Sequence, residues 1–258
     1  DSRSDCYQIG DFGTVRAKAA ALRILRDDLP RTVRPAFIST GSMSDPYNPF
    51  EEKLRLTRHA LELMDAYGCG VAIATKSGLI TRDIDVLTAI QAHSPVVCKL
   101  TVTTTDDALA AKLEPGAPSP SRRLAALKEL SGAGLFAGVL LMPVLPFLED
   151  SAENVRAVVE GAARAGARFV YPAFGVTMRQ GQREFFLDGL ERAFPGRGLR
   201  ERYLRQYGDR YQCASPRAGA LWEAFTAACR ERGILYDMNS IIRAATLSYG
   251  DRQLTFFD

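Results

Sequence analysis

Short apolar runs alternate with amphipathic stretches along most of the chain. Pro35 to Thr40, Val71 to Thr75, Val96 to Thr103, Leu135 to Met142 and Phe169 to Phe174 read as strands. Between them, Val15 to Leu29, Glu51 to Tyr67, Arg82 to Gln91, Ser121 to Leu130 and Ser151 to Ala165 carry apolar positions at helical spacing. Several of these helices run into breakers: Pro30, then Gly68 and Gly70, the Ser-Gly-Ala-Gly at 131–134, and Gly166. The strands are continuous apolar runs, the pattern of strands covered on both faces, so the order β-α-β-α predicts a parallel sheet wrapped by helices. The expected fold class is α/β, a partial (β/α)6 TIM-type barrel with chemistry on the loops after the strands. A doubly wound sheet is the alternative, weakened because no G-x-G-x-x-G follows a strand. Beyond about Gly175 the alternation gives way to a mostly helical pattern. The expected organisation is therefore a barrel core over residues 1–175 and a helical C-terminal extension over 176–258 packed on it.

Composition narrows the class without naming it. The 258 residues are 47% hydrophobic, with 33 basic and 30 acidic side chains and a formal net charge of +3. That is the composition of a globular protein, and no run of 18 apolar residues offers a membrane span. Five scattered cysteines (Cys6, Cys69, Cys98, Cys213 and Cys229), with no C-x-x-C pair, argue against a disulfide framework or a compact zinc site. Together with the absence of a leader-like segment they point to a reducing, cytoplasmic setting. A near-neutral balance is not the footprint of a general nucleic-acid binder. Arg179 to Arg217 is nevertheless rich in arginine, with Phe194, Tyr203, Tyr207 and Tyr211 interleaved. Such a stretch suits phosphates and unstacked bases, or is simply a solvated helical face.

Four strand ends carry polar residues that can converge on one ligand. Ser39 to Pro49 is a long polar loop pivoting on Gly41. Ser44 and Asp45 in it can accept hydrogen bonds from a ligand ammonium, although turn chemistry alone also explains them. Lys76 emerges after the second strand as a carboxylate partner or a snorkelling surface lysine. Thr101 and Thr103 offer hydroxyls suited to a ribose, or are good strand formers and nothing more. Met142 to Pro146 is a stiff apolar ledge against which a flat base could lie, with backbone groups free. An ammonium site, a carboxylate partner, hydroxyls and an apolar ledge describe an amino-acid nucleoside, and S-adenosylmethionine is the obvious candidate.

Gly41-Ser-Met-Ser-Asp-Pro-Tyr-Asn-Pro49, Thr75-Lys-Ser77, Leu113-Glu-Pro-Gly-Ala-Pro-Ser-Pro120 and Arg123-Leu-Ala-Ala-Leu-Lys128 resemble the spore photoproduct lyase-related branch of the radical S-adenosylmethionine superfamily. Tyr211-Gln-Cys-Ala-Ser-Pro216, Leu221-Trp222 and Gln253-Leu-Thr-Phe-Phe257 are similar to bacterial members of that branch, so the likeness runs in order along nearly the whole chain. The resemblance implies a partial (β/α)6 barrel and a 4Fe–4S cluster that binds S-adenosylmethionine. Reductive cleavage, fed by an external electron donor, then gives a 5′-deoxyadenosyl radical that abstracts hydrogen from a substrate, with DNA or a nucleotide-like molecule as the candidate. By position it assigns Ser44 and Asp45 to the methionyl amino group and Lys76 to the carboxylate. Thr101, with Thr103 grouped beside it, falls to the ribose region, and Met142 to the adenine through its backbone.

Two departures qualify what the resemblance implies. The family's C-x-x-x-C-x-x-C loop is absent, and Asp1-Ser-Arg-Ser-Asp-Cys6-Tyr7 resembles the residues just beyond it. The expectation is that the cluster ligands and the first strand lie upstream of Asp1, that this chain alone is inactive, and that it holds no metal ligand. Cys6 by itself cannot hold a cubane that needs three protein thiolates. Met43 stands where the lyase has the cysteine that returns hydrogen to its product, so no catalytic residue is assigned. Cys98, Cys213 and Cys229 read as structural, and His59 and His93 receive no role. Gln253 to Phe257 resembles the pentapeptide that docks repair proteins on the DNA sliding clamp, with a tail folded back on the barrel as the alternative. A non-catalytic barrel that binds nucleic acid or a nucleoside is the competing function, and a different TIM-like enzyme is a third.

Overall fold

Five short strands pair in the order in which they occur in the chain: β1 (Phe37–Thr40), β2 (Gly70–Thr75), β3 (Val96–Thr101), β4 (Ala137–Leu141) and β5 (Phe169–Pro172), all parallel. The structure is a computed structural model and describes residues 20–32, 36–41, 44–179 and 181–249. A doubly wound sheet reverses its strand order at a switch point, and this one does not. Sequential order with helices between successive strands is the arrangement of an open barrel, so the expected α/β class and partial TIM-type barrel are what the chain forms. Leu235 extends the sheet beside β5: the Val170 N–H donates to its carbonyl at 2.9 Å, and its own N–H donates to the Arg168 carbonyl at 3.1 Å.

The helices are α1 (Ala21–Asp28), α2 (Glu51–Leu54), α3 (Leu56–Ala66), α4 (Ile84–Gln91), α5 (Asp107–Leu113), α6 (Pro120–Gly132) and α7 (Ala152–Arg164), followed by α8 (Gln182–Ala193), α9 (Leu199–Tyr207), α10 (Ala218–Arg232) and α11 (Met238–Thr246). Side chains on one face of the sheet, among them Val71, Ile73, Val96, Cys98, Leu100 and Val139, are fully buried under α3, α4, α6, α7 and α10. The opposite face is the barrel interior. Its lower end is closed by Ile241 and Ala245 of α11, which pack with Ala72, Val97 and Phe169. Its upper end is open.

The helix expected from Glu51 to Tyr67 is two helices, broken at Arg55, whose φ of 50° is left-handed. The cause is Glu51, a buried carboxylate that accepts the N–H groups of Thr57 (3.0 Å) and Arg58 (3.3 Å) and so caps α3 from the preceding turn. The sequence reading also passed over α5, which starts where the Asp106 carboxylate accepts from the N–H groups of Ala108 and Leu109 at 2.9 and 3.0 Å.

Past β5, a two-stranded antiparallel hairpin of β6 (Gly175–Thr177) and β7 (Gln212–Ala214) encloses α8 and α9. Those helices build a second core from Leu187, Leu190, Phe194, Leu199, Tyr203 and Tyr207. The chain then returns to the barrel, where Leu221, Phe225 and Cys229 of α10 join the main core. Of the six aromatics in the arginine-rich stretch from Arg179 to Arg217, Phe194, Tyr203 and Tyr207 are thus buried core residues, Phe186 packs against them, and Phe185 and Tyr211 are exposed. Its arginines are largely committed too. Arg200 pairs with Glu184 and Asp188, Arg183 donates to the Gly208 and Arg210 carbonyls, and Arg202 stacks over Phe147 at 4.1 Å. The interleaving that suggested a base-stacking surface is the i, i+4 spacing of a helix face turned inward.

Candidate functional site: the cavity at the strand ends

A cavity of about 900 Å³ opens at the C-terminal ends of the strands. Ser44, Asp45, Lys76, Thr101 and Met142 line it together, with Leu140, Pro143 and Phe174 as apolar wall and the β6–β7 hairpin opposite. That volume lies within the range of small-molecule sites.

The loop after β1 is pressed against β2. Gly41 has a φ of +93°, and a Cβ there would lie 2.2 Å from the carbonyl oxygen of Ala74, so only glycine fits. Asp45 ties the loop down: Oδ1 accepts from the Thr75 hydroxyl (2.6 Å) and the Tyr47 N–H (2.9 Å), and Oδ2 accepts from the Lys76 N–H (2.8 Å). A carboxylate has about four acceptor sites, so Asp45 can brace the loop and still receive a ligand donor. Beside it, Ser44 is exposed.

Lys76 is not a free cation. Its ammonium pairs with Glu114, whose other oxygen receives Arg123 at 2.5 Å. Arg123 is 1% exposed and also donates to the carbonyls of Pro118 at 2.7 Å and Thr101 at 3.0 Å. Burial alone would raise the Glu114 pKa, but the Lys76 and Arg123 charges outweigh it and hold the carboxyl below its usual range. One guanidinium therefore fixes both a cavity-lining strand end and, through Glu114, the cavity's ammonium. The trio carries one net positive charge and retains the capacity to bind an anion.

Thr103 stands apart from the cavity lining. Its hydroxyl donates to Glu149 Oε1 at 2.6 Å, and Glu149 Oε2 accepts the Leu145 N–H at 2.9 Å. Burial pushes the Glu149 carboxyl up to about 6 against the lowering effect of those two bonds. Neighbouring Asp150 accepts from the Ser215 hydroxyl and the Phe147 N–H, both at 2.6 Å, joining the loop after β4 to the segment after β7. Both backbone polar groups of Met142 are without a hydrogen-bond partner among the described residues.

Cys213 borders the cavity through β7, but its thiol belongs to the second core and donates to the Arg210 carbonyl at 3.5 Å. Burial pushes the Cys98 and Cys229 thiols up to about 12, as expected of core cysteines. No group of three His, Cys, Asp or Glu side chains that could hold a metal occurs among the described residues. Cys6, Met43 and the Gln253 to Phe257 segment lie outside those residues. No described helix is long and apolar enough to cross a membrane.

Strand order and the position of this cavity define an open α/β barrel with a cavity above the C-terminal strand ends. Among proteins of known structure, spore photoproduct lyase in complex with dinucleoside spore photoproduct superposes with a TM-score of 0.57 at 16% identity, over 83% of this chain and 64% of the lyase. A mutant of that lyase with bound AdoMet and dinucleoside spore photoproduct gives the same TM-score, identity and coverage. At that identity the likeness is one of fold. In sequence, the uncharacterised protein Rv2578c of Mycobacterium tuberculosis is 32% identical over 200 residues, covering 77% of this chain and 58% of the relative. The uncharacterised protein MJ0683 of Methanocaldococcus jannaschii is 30% identical over 131 residues, 49% of each chain. The chain thus spans less than two thirds of the length of these relatives. No protein-family model matches it.

Proposed function

We propose that the cavity binds S-adenosylmethionine and that the chain is the ligand-binding part of a radical S-adenosylmethionine enzyme of the spore photoproduct lyase-related kind. The observation that carries this reading is the donor set gathered in one cavity. Ser44 and Asp45 supply acceptors for an ammonium. The net positive trio of Lys76, Glu114 and Arg123 supplies a carboxylate partner. Thr101 supplies a hydroxyl, and Met142 a pair of free backbone groups beside the apolar Leu140 and Pro143. These groups fit an amino-acid nucleoside in charge and polarity. Bound there, S-adenosylmethionine would supply a 5′-deoxyadenosyl group for hydrogen abstraction from a substrate.

The described residues do not supply ligands for an iron–sulfur cluster, so no step through one is derived from them. What this chain's own residues do is hold the nucleoside. Asp45 fixes the loop and takes the amino group, Lys76 takes the carboxylate, and the apolar wall excludes water from one side. A nucleotide-like substrate is the class that the reading carries, approaching past exposed Thr177 and Gln212 on the hairpin. An external electron donor and a reducing, cytoplasmic setting belong to the same reading, and Gln253 to Phe257 is its candidate sliding-clamp segment.

Isothermal titration of the chain with S-adenosylmethionine and with 5′-methylthioadenosine, which lacks the amino-acid portion, tests the proposal. The expected result is a Kd for S-adenosylmethionine on the order of 10 μM or tighter, at least tenfold tighter than for the truncated nucleoside. Equal affinities would favour a nucleoside-binding barrel without this chemistry, and no heat with either ligand overturns both readings.

A further inference from the structure

Lys99 is the one lysine of β3, and the strand's alternation fixes where it points. On the same face of β3, Val97 packs against α11 at the closed end of the barrel and Thr101 lines the cavity at the open end. Lys99 lies between them on that inner face, whereas Cys98 and Leu100 on the other face are fully buried under helices. Its register neighbours across the sheet are Ala74 on β2 and Gly138 on β4, one methyl group and no side chain. A Cβ at Gly138 would lie 2.4 Å from the Phe169 carbonyl oxygen, so that position cannot carry a larger residue. The lysine's two immediate neighbours are therefore small, and beyond Gly138 the ring of Phe169, its register partner on β5, closes that side of the row.

No described acid pairs with Lys99 and no described group accepts a hydrogen bond from it. The contrast with Lys76, committed to Glu114, is direct. Burial pulls the Lys99 ammonium below the usual lysine range. A half-buried cation without a counter-ion is a costly arrangement that an anion relieves and that an apolar occupant would worsen. Strands advance about 3.3 Å per residue, which sets Lys99 about 6.6 Å below Thr101 along β3. A four-carbon stem can bridge that depth.

We propose that Lys99 is the anion-binding group of a second subsite, on the inner face of the barrel beneath the cavity's strand-end residues, which receives a phosphate or carboxylate of the substrate. The subsite is distinct from the carboxylate partner assigned to Lys76. It stands on the geometry of β3, whether or not the upper cavity takes S-adenosylmethionine.

The six lysines of the chain make a direct test practicable. Lysine side-chain nitrogen and carbon signals are followed by NMR in isotope-labelled protein, with no nucleoside present, so the outcome is independent of the reading above. Inorganic phosphate is added in one arm and acetate in the other, at constant ionic strength. Lys99→Met removes the signal and identifies it. Lys99→Arg, which keeps the charge, serves the same purpose if the first variant folds poorly. The expected result is a saturable shift at Lys99 in at least one arm, with a Kd on the order of millimolar, while Lys53 and Lys128 show none. A response to phosphate alone defines a phosphate subsite, and a response to acetate alone a carboxylate subsite. A Lys99 signal unmoved by either anion at about 100 mM overturns the proposal.

Discussion

The two faces of the five parallel strands are built to different rules. The outer face is a stack of large, fully buried side chains, Val71, Ile73, Cys98, Leu100 and Val139, pressed under helices. The inner face is graded: Val97 and Phe169 pack on α11 at the closed end, whereas Ala74, Lys99, Thr101, Gly138 and Leu140 toward the open end are mostly smaller or polar. Close packing outside makes the sheet rigid, and incomplete packing inside leaves room for a ligand and keeps polar groups without partners. Stability and binding are thus separated by one residue of register. A shift by one position would exchange them.

Leucine truncation on each face is the strongest test of that separation. Leu100→Ala on the outer face should cost about 3 kcal/mol in urea unfolding, because a fully buried leucine leaves a cavity that its neighbours cannot fill. Leu140→Ala, half-buried on the inner face, should cost roughly 1 kcal/mol and weaken nucleoside binding instead. Equal stability losses at the two sites would erase the distinction. The rim where the faces meet gives the next effect, through Glu149. Its pKa rises from 4.5 to about 6 on folding, so the folded state holds that proton more tightly. Stability should therefore fall by about 2 kcal/mol in total as pH rises from well below 4.5 to well above 6, with most of the fall between those two values. In Glu149→Gln the amide oxygen can still accept the Leu145 N–H and the amide N–H can donate to a reversed Thr103 hydroxyl. Its unfolding curve should lack that fall, and an unchanged pH profile would remove Glu149 as its source.

A smaller effect is expected for Glu114→Gln, which should weaken S-adenosylmethionine binding about tenfold while leaving 5′-methylthioadenosine within about twofold. The reason is that Glu114 fixes the ammonium assigned to the carboxylate and not the nucleoside end. Equal losses for both ligands would reduce Glu114 to a structural brace. Tighter binding of S-adenosylmethionine would make it a competitor for Lys76.

The sequence disclosed the outer rule better than the inner one. Strands covered on both faces read as unbroken apolar runs, so β1 to β5 were legible, but that same continuity hid which residues face inward. Lys99 sits inside such a run and drew no attention, although a lysine amid Val96, Val97, Cys98 and Leu100 was the available signal. Ser44, Asp45, Lys76, Thr101 and Met142 were legible as polar or special residues at strand ends, and the structure brings them to one cavity. Thr103 could not be separated from Thr101 by type. The separation comes from β3 ending at Thr101 and from a buried glutamate 46 residues further on that claims the Thr103 hydroxyl. Glu114 and Arg123 fell within recognisable segments, yet their link to Lys76 spans 38 residues and depends on how α5 and α6 dock. The Tyr203 and Tyr207 spacing of α9 suggests a surface in the sequence because periodicity identifies a face without saying which way it turns.

The smallest effect tests the inner face by stability alone. An ammonium whose folded pKa is lowered binds its proton less well in the native state than in the unfolded chain. Stability contributed by this group must then rise with pH through the window between its lowered native value and the unfolded lysine value near 10.4. At neutral pH the charge is carried at a net cost, which Lys99→Met removes while keeping most of the stem. The variant should be slightly more stable than the wild type at pH 7, by roughly 1 kcal/mol or less, with the gap closing as pH rises. Added phosphate or acetate, if either occupies the subsite, should close the same gap from the other side by stabilising only the wild type. A variant less stable than the wild type at pH 7 would mean that the lysine is satisfied in the native protein. The inner face would then be as fully packed as the outer one.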